Sequence, residues 1–243
     1  FNITLCLAGL AGIGGGALIA RLLGEGRGEE AKRVSAFSLY LGMVIAAAFS
    51  LGMALFMEPI LKLLGANANT YEFARQYAAC VIVVGGIPTV LSNVLSNLIR
   101  SIGRSREAGF GIILGGVLNI ALDPLFMFVL LPKGHQVLGA GIATCLSNCV
   151  ACGFFLLVLR RMGSTSIITL SPRVGLAQRE SILAVFAVGV PSAITTFLFD
   201  LDYVIIDKLM VSYHDLALAA IGIVLKVERF PLNVGIGICQ GMM

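Results

Sequence analysis

Long apolar segments, each uncharged or nearly so, dominate the pattern of hydrophobic and polar positions along this chain. A membrane-spanning helix needs about 20 consecutive, mostly apolar residues. Seven segments reach that length, and they cover residues 1–20, 34–57, 76–99, 108–131, 136–159, 181–206 and 215–243. Their apolar residues fall on all faces of a helix, and none shows the strict alternation of barrel strands. The pattern therefore predicts seven membrane-spanning helices.

Composition agrees with a membrane protein. Of the 243 residues, 58% are hydrophobic and 12% are charged, whereas soluble domains have about 25% charged residues. The mean hydropathy is +0.97. A soluble core of this size could not hide so much apolar surface, which excludes a soluble globular enzyme and a disordered chain. We predict an all-α integral membrane protein, a polytopic helix bundle.

The basic residues predict the orientation of the helices. The net charge of +4 does not indicate nucleic-acid binding, because the basic residues lie in short loops between apolar segments. Four of them lie in the loops after the even-numbered segments: Lys62, Arg75, Lys133 and Lys208. Eleven lie in the loops after the first, third and fifth segments: Arg21, Arg27, Lys32, Arg33, Arg100, Arg104, Arg106, Arg160, Arg161, Arg173 and Arg179. The positive-inside rule places this second set in the cytoplasm.

The longest polar segment, residues 162–180, is predicted to be a cytoplasmic boundary between two lobes. It separates residues 1–161, with five predicted helices, from residues 181–243, with two. The chain begins and ends inside apolar segments, so we expect a fragment of a longer protein. Both lobes would then be incomplete.

Ionisable residues inside apolar segments are costly, and they are therefore candidates for function. Asn119 and Asp123 share one helix face because they are four residues apart, and Pro124 is expected to kink the helix and free carbonyl oxygens. Thr144 on the next helix lies at a similar depth. Carboxylate, amide and carbonyl oxygens suit a proton or a small hard cation. The alternative is a polar kink that only stabilises the bundle.

A second group of charged residues is predicted near mid-membrane on the last two helices. By the helical rise of ~1.5 Å per residue, Asp200 and Lys226 both lie about 16 Å from the outer ends of their helices. Asp202, Glu228 and Arg229 are within a turn of that level. An excess carboxylate here could exchange a proton or contact a substrate, and the alternative is a fully neutralised structural pair.

Motif searches argue against an enzyme. The sequence contains no phosphate-binding P-loop, no HExxH zinc motif and no repeated DxxxD set that would hold Mg²⁺ on pyrophosphate. Cys145, Cys149 and Cys152 share a helix face, but a zinc site needs more ligands, and small packing residues explain them better. We predict neither a metal site nor a bound cofactor.

Several motifs resemble the multidrug and toxic compound extrusion (MATE) family, in its prokaryotic branch. They are GGGALIARLLG at residues 14–24 followed by AKR at 31–33, NIALDPLF at 119–126, LGAGIAT at 138–144, ALAAIGI at 217–223 and GICQG at 237–241. Their order, spacing and loop charges agree with the family over nearly the whole chain.

The resemblance implies a transporter of two six-helix lobes, of which this chain covers helices two to eight. It implies antiport that exports organic cations and drugs by alternating access, driven by Na⁺ or H⁺, in a monomer within the bacterial cell membrane and its lipids. The family's N-lobe cation site maps onto Asn119, Asp123 and Thr144, while a further acidic residue on helix one lies outside the chain. Either Asp200 or Asp202 corresponds to a C-lobe carboxylate.

A second function within the same superfamily is a flippase or exporter for lipid-linked or metabolite substrates. Such a cavity should be strongly cationic, whereas the helices of the N-terminal half carry no interior Lys or Arg, which disfavours it. A third possibility is that the fragment by itself transports nothing.

Overall fold

The computed structural model describes residues 2–63, 71–130, 136–163, 167–169, 178–211 and 215–241. The described part is helical, with short turns between the elements. The α-helices are α1 (Asn2–Gly24), α2 (Gly28–Leu55), α3 (Met57–Leu63), α4 (Tyr71–Ala78), α5 (Gly86–Ser101), α6 (Ser105–Pro124), α7 (Gln136–Met162), α8 (Arg179–Val211) and α9 (Asp215–Gly241). Two π-helical segments, Ala79–Val84 and Leu125–Leu130, continue α4 and α6. The predicted all-α fold is confirmed.

The core of the first compact unit, Phe1–Ala193, forms where α1, α2 and α5 pack together. Ala11 and Ile19 of α1 and Val94 and Leu98 of α5 are fully buried there. Small residues on α1 allow the helices to approach closely, and the larger aliphatic side chains of α5 fill the space between them. α6 and α7 pack against each other as a helical hairpin and both contact α5.

Five described helical stretches are long and apolar enough to span a membrane: α1, α2, Ser105–Leu130, α7 and Arg179–Tyr203. A sixth candidate is a broken span, in which Tyr71–Val84 and Gly86–Ser101 meet at an angle of 50°. The membrane-spanning helix that the sequence predicts over residues 76–99 corresponds to this broken span. Pro88 lacks the N–H that would bond back to Val84, so the helix breaks one turn before it.

The seventh predicted span, residues 215–243, is helical over the 27 residues of α9. Its described apolar stretch is Phe230–Cys239, and the side chains of residues 215–223 lie outside the described part, so the span stays a prediction.

The chain divides into two compact units at Ala193–Ile194, inside α8. Our predicted boundary at residues 162–180 falls mostly outside the described residues and stays a prediction. Its described piece, residues 167–169, contacts α2: the Ser35 Oγ lies 2.9 Å from the carbonyl oxygen of Ile167 and accepts a 3.3 Å hydrogen bond from the Thr169 amide. Ile168 is buried beside it.

Charged residues close the turn between α1 and α2. Glu25 accepts hydrogen bonds of 2.9 Å from both Arg27 and Arg21, and these guanidinium groups lower the pKa of Glu25 below its ordinary value. Gly26 adopts φ 75°, which a side chain would disfavour.

Candidate functional site

Asn119 and Asp123 lie one turn apart on α6, as their spacing predicted. The Asn119 Nδ2 lies 3.4 Å from Asp123 Oδ1, and both side chains are half-buried. The carboxylate is therefore held by its own helix, close to the point where Pro124 ends the regular α-helix and the π segment Leu125–Leu130 begins.

Thr144 joins this pair from α7. The same Asn119 Nδ2 donates to Thr144 Oγ1 at 3.3 Å, and the Thr144 hydroxyl donates to the carbonyl of Ala140 at 2.9 Å. Because the Thr144 proton is used within α7, its oxygen is free to accept from neighbouring donors. The structure thus brings together the three residues that the sequence placed at one site.

Tyr77, on α4, is a fourth member of the cluster that the sequence did not reveal. Its hydroxyl group lies near the Thr144 hydroxyl and near the Asp123 carboxylate. Tyr77 is 42 residues before Asn119 in the chain, and no motif links the two. The available signal was a phenol inside an apolar segment, but the register between α4 and α7 cannot be read from spacing.

Two glycines of α7 allow the elements of the site to approach closely. A Cβ at Gly139 would lie 2.9 Å from the Phe126 carbonyl, in the second π segment, and a Cβ at Gly141 would lie 3.1 Å from the Cβ of Cys80, in the first. α7 therefore packs against both π segments within five residues of Thr144. π segments often occur at functional sites, where they change the direction of nearby groups.

The electrostatics of the site favour a cation. Within the described residues, no Lys or Arg lies within ion-pair distance of Asp123. Asp123, Asn119, Thr144 and Tyr77 offer oxygen atoms from three different elements. A carboxylate in a low-dielectric setting without a basic partner is stabilised by binding a proton or a hard cation, for which oxygen ligands are preferred.

The predicted group on the last two helices is only partly described. Asp200 is half-buried on α8, whereas Asp202 on α8 and Glu228 on α9 are exposed. The side chains of Lys226 and Arg229 lie outside the described residues, so the proposed ion pair with Asp200 stays a prediction. Within the described part, no group of three His, Cys, Asp or Glu side chains converges to hold a metal ion.

Comparison with known proteins identifies the family. The MatE family model matches residues 1–125, which is half of the chain. The chain belongs to the MatE family. The match includes Asn119 and Asp123, and the sequence-based assignment to this family is therefore confirmed.

Relatives and solved structures agree with this assignment. The chain is 31% identical over its full 243 residues to the multidrug export protein MepA of Staphylococcus saprophyticus, and it covers 52% of that protein. Among solved structures, the chain is 27% identical to an inward-facing multidrug resistance MATE family transporter of the MOP superfamily, with a TM-score of 0.79. The match covers 87% of this chain and 47% of that transporter. The chain thus spans about half the length of the proteins it matches.

A third similarity concerns the fold alone. The chain also matches a MOP superfamily transporter from Pyrococcus furiosus, with a TM-score of 0.88 at 24% identity. The match covers 99% of this chain and 52% of that transporter, whose binding pocket is described as having a reverse polarity that suggests a different function. These relatives are transporters, and the apolar helices of this MatE chain agree with a multi-pass protein of the bacterial cell membrane.

Proposed function

We propose that this MatE chain forms the cation-coupled half of a multidrug exporter. Asp123 binds the driving ion, Na⁺ or H⁺, with Asn119, Thr144 and Tyr77 as oxygen-bearing neighbours. The transporter exchanges this ion for an organic cation or drug by alternating access, as a single copy, and it performs no chemical conversion. The observation that carries the proposal is the hydrogen-bonded connection of Asn119 to both Asp123 and Thr144, across two helices.

The geometry supports coupling in a specific way. The ion-binding carboxylate lies directly before Pro124 and a π segment, in which the backbone hydrogen bonds are less regular than in an α-helix. A cation that binds Asp123 competes with the Asn119 amide for the carboxylate, so ion occupancy alters the link between α6 and α7. Transport needs such differential contacts in the two states.

The charge distribution disfavours the other function considered, a flippase or exporter for lipid-linked or metabolite anions. Every Lys and Arg on α1, α2, α6 and α7 lies within two turns of a helix end. A pyrophosphate group would need cationic partners deeper in the membrane, since a buried anion without them is unstable.

The deciding experiment measures ethidium efflux from everted vesicles that contain the protein carrying this chain, expressed at its full length. A Na⁺ gradient and a pH gradient are imposed separately. We expect one gradient to drive efflux, and we expect Asp123→Asn to reduce that gradient-driven rate at least tenfold, because the amide can carry neither a proton nor the charge that attracts a cation.

Glu107→Gln is the matched control, because Glu107 pairs with Arg104 at the surface and should leave efflux unchanged. Protein abundance and thermal unfolding are measured for both variants, so that a folding defect is recognised. Full gradient-driven efflux in a folded Asp123→Asn protein contradicts the proposed role. Absence of ethidium movement under either gradient contradicts drug export.

A further inference from the structure

Ser50 of α2 makes a hydrogen bond to the backbone of the first π segment, Ala79–Val84. Its hydroxyl group donates to the carbonyl oxygen of Ile82 at 2.9 Å, and the serine is buried. A Cβ at Gly86 would lie 2.5 Å from the Ser50 Oγ, so the absence of a side chain there allows the serine to reach the segment. Side chains that insert into the hydrogen-bond ladder of a helix are a recognised cause of a bend.

The π segment sets the rotation of α4 relative to α5. The amide of Gly85 donates to the carbonyl of Cys80, five residues earlier, at 2.9 Å, whereas an α-helix joins residues four apart. A π turn therefore contains one residue more than an α turn. If the segment became α-helical, the residues before it would turn by about 100° relative to the residues after it.

The side of the π segment that would turn is the side that carries Tyr77. α5 is held by the core, because its residues Val90, Val94 and Leu98 are buried there. In α4, which the structure describes completely, Ala78 is the one buried residue. Tyr77 lies two residues before the π segment, so a turn of this size would move its hydroxyl group away from the candidate cation site.

α7 contacts the same region, but without fixing the register. A Cβ at Gly141 would lie 3.1 Å from the Cβ of Cys80 and 3.6 Å from the Cα of Tyr77, and Gly141 is three residues before Thr144. These are van der Waals contacts, which have no preferred direction. A hydrogen bond is directional, so the bond from Ser50 distinguishes the π register from the α register.

We propose that Ser50 is a positioning residue for the candidate cation site, an inference that rests on the proposed function of that site. Ser50 holds the Ile82 carbonyl and thereby stabilises the π register. This register keeps the Tyr77 hydroxyl group near Thr144 and Asp123. The serine therefore acts on the site through the backbone, over five residues.

The first measurement reports the register and needs no transport. In the full-length protein carrying this chain, every cysteine except Cys80 is replaced, and Gly141→Cys is introduced. Cβ atoms joined by a disulfide lie about 3.5–4.5 Å apart, and a Cβ at Gly141 would lie 3.1 Å from that of Cys80. A small adjustment therefore allows the two thiols to be crosslinked by copper phenanthroline, as long as the π register is kept.

We expect Ser50→Ala to slow this crosslinking about two- to tenfold, because it removes one hydrogen bond that favours the π register. Ser38→Ala is the matched control. Ser38 is a buried serine of the same helix, and its hydroxyl group has no hydrogen-bond partner among the described residues. This control should leave the crosslinking rate unchanged.

The second measurement separates positioning from stability. Ser50→Ala should change the coupling-ion concentration for half-maximal ethidium efflux about two- to tenfold, and it should leave the maximal rate within about twofold of the parent because Asp123 is intact. In a Tyr77→Phe protein, Ser50→Ala should have no further effect on the ion dependence, because the hydroxyl group that it positions is already absent. A purely structural loss would lower the melting temperature and add to the effect of Tyr77→Phe.

The outcomes distinguish this inference from the function on which it rests. An unchanged crosslinking rate in Ser50→Ala, an equal loss in Ser38→Ala, or additive effects with Tyr77→Phe overturns the role of Ser50. Slower crosslinking in Ser50→Ala, together with a parent protein whose efflux depends on neither Na⁺ nor pH, supports the role of Ser50 in the π register and contradicts the cation site instead.

Discussion

Asn119 is the residue that joins the two helices of the candidate site. Its amide nitrogen lies between Asp123 of its own helix and Thr144 of α7, and it leaves the Asn119 oxygen and the second carboxylate oxygen available. A single amide thus sets the distance between the carboxylate and the hydroxyl. Any cation that displaces it must replace two hydrogen bonds.

Tyr77 extends this network to α4, and its removal gives a prediction at the scale of one residue. Tyr77→Phe keeps the ring and deletes the hydroxyl group that lies near Thr144 and Asp123. We expect the coupling-ion concentration for half-maximal efflux to change about two- to tenfold, because one polar partner of an ion site contributes about 0.5–1.5 kcal/mol.

Ion-dependent ethidium efflux measures this change, and Tyr71→Phe, on the same helix, is the matched control. An identical ion dependence in Tyr77→Phe and the parent protein would remove Tyr77 from the site.

Sequence reasoning found some members of the site and missed another for a physical reason. Asn119 and Asp123 could be placed together because four residues of an α-helix bring two side chains onto one face. Thr144 followed from its depth and from the family resemblance. Tyr77 could not be found in this way, because its position depends on how α4 and α7 pack.

At the scale of elements, one of the two helix breaks could be predicted from the sequence and the other could not. Pro124 predicted the irregular end of α6, because proline removes a backbone hydrogen bond at a defined position. The break at Gly85 was missed, although Pro88 lies three residues later, because a proline in the first turn of a helix is often tolerated without a bend. The segments on both sides of this 50° bend contact α7, and such packing cannot be read from the sequence.

The contact of Gly139 with the second π segment gives a prediction for this element. Gly139→Ala would place a Cβ 2.9 Å from the Phe126 carbonyl, and backbone atoms cannot move aside as a flexible side chain can. We expect the substitution to lower the free energy of unfolding by about 1–3 kcal/mol.

Thermal unfolding in detergent provides the measurement. The control is Gly116→Ala on α6, where a Cβ meets no atom within 4 Å and alanine should be neutral or raise stability by up to about 1 kcal/mol. Equal melting temperatures for the two variants would show that the close approach at Gly139 is unimportant.

At the scale of the whole molecule, the asymmetry of loop charges predicts sidedness. The turn between α1 and α2 should lie in the cytoplasm, and the start of α3 should lie outside, because basic loops are retained on the cytoplasmic side. In right-side-out vesicles of a cysteine-free protein, a membrane-impermeant maleimide should label Glu58→Cys and leave Gly28→Cys unlabelled.

Permeabilised vesicles, in which both positions should react, control for accessibility. The opposite labelling pattern would contradict the predicted orientation.

The polar link between α6 and α7 also constrains how the chain enters the membrane during synthesis. Asp123 leaves the ribosome before Thr144, and a lone charged residue at the centre of an inserting helix costs about 2.5–3.5 kcal/mol. Asn119 and Thr144 are 25 residues apart, so α7 follows closely enough to satisfy the polar face of α6 as it leaves the translocon. We therefore expect the two helices to enter the bilayer as one hairpin.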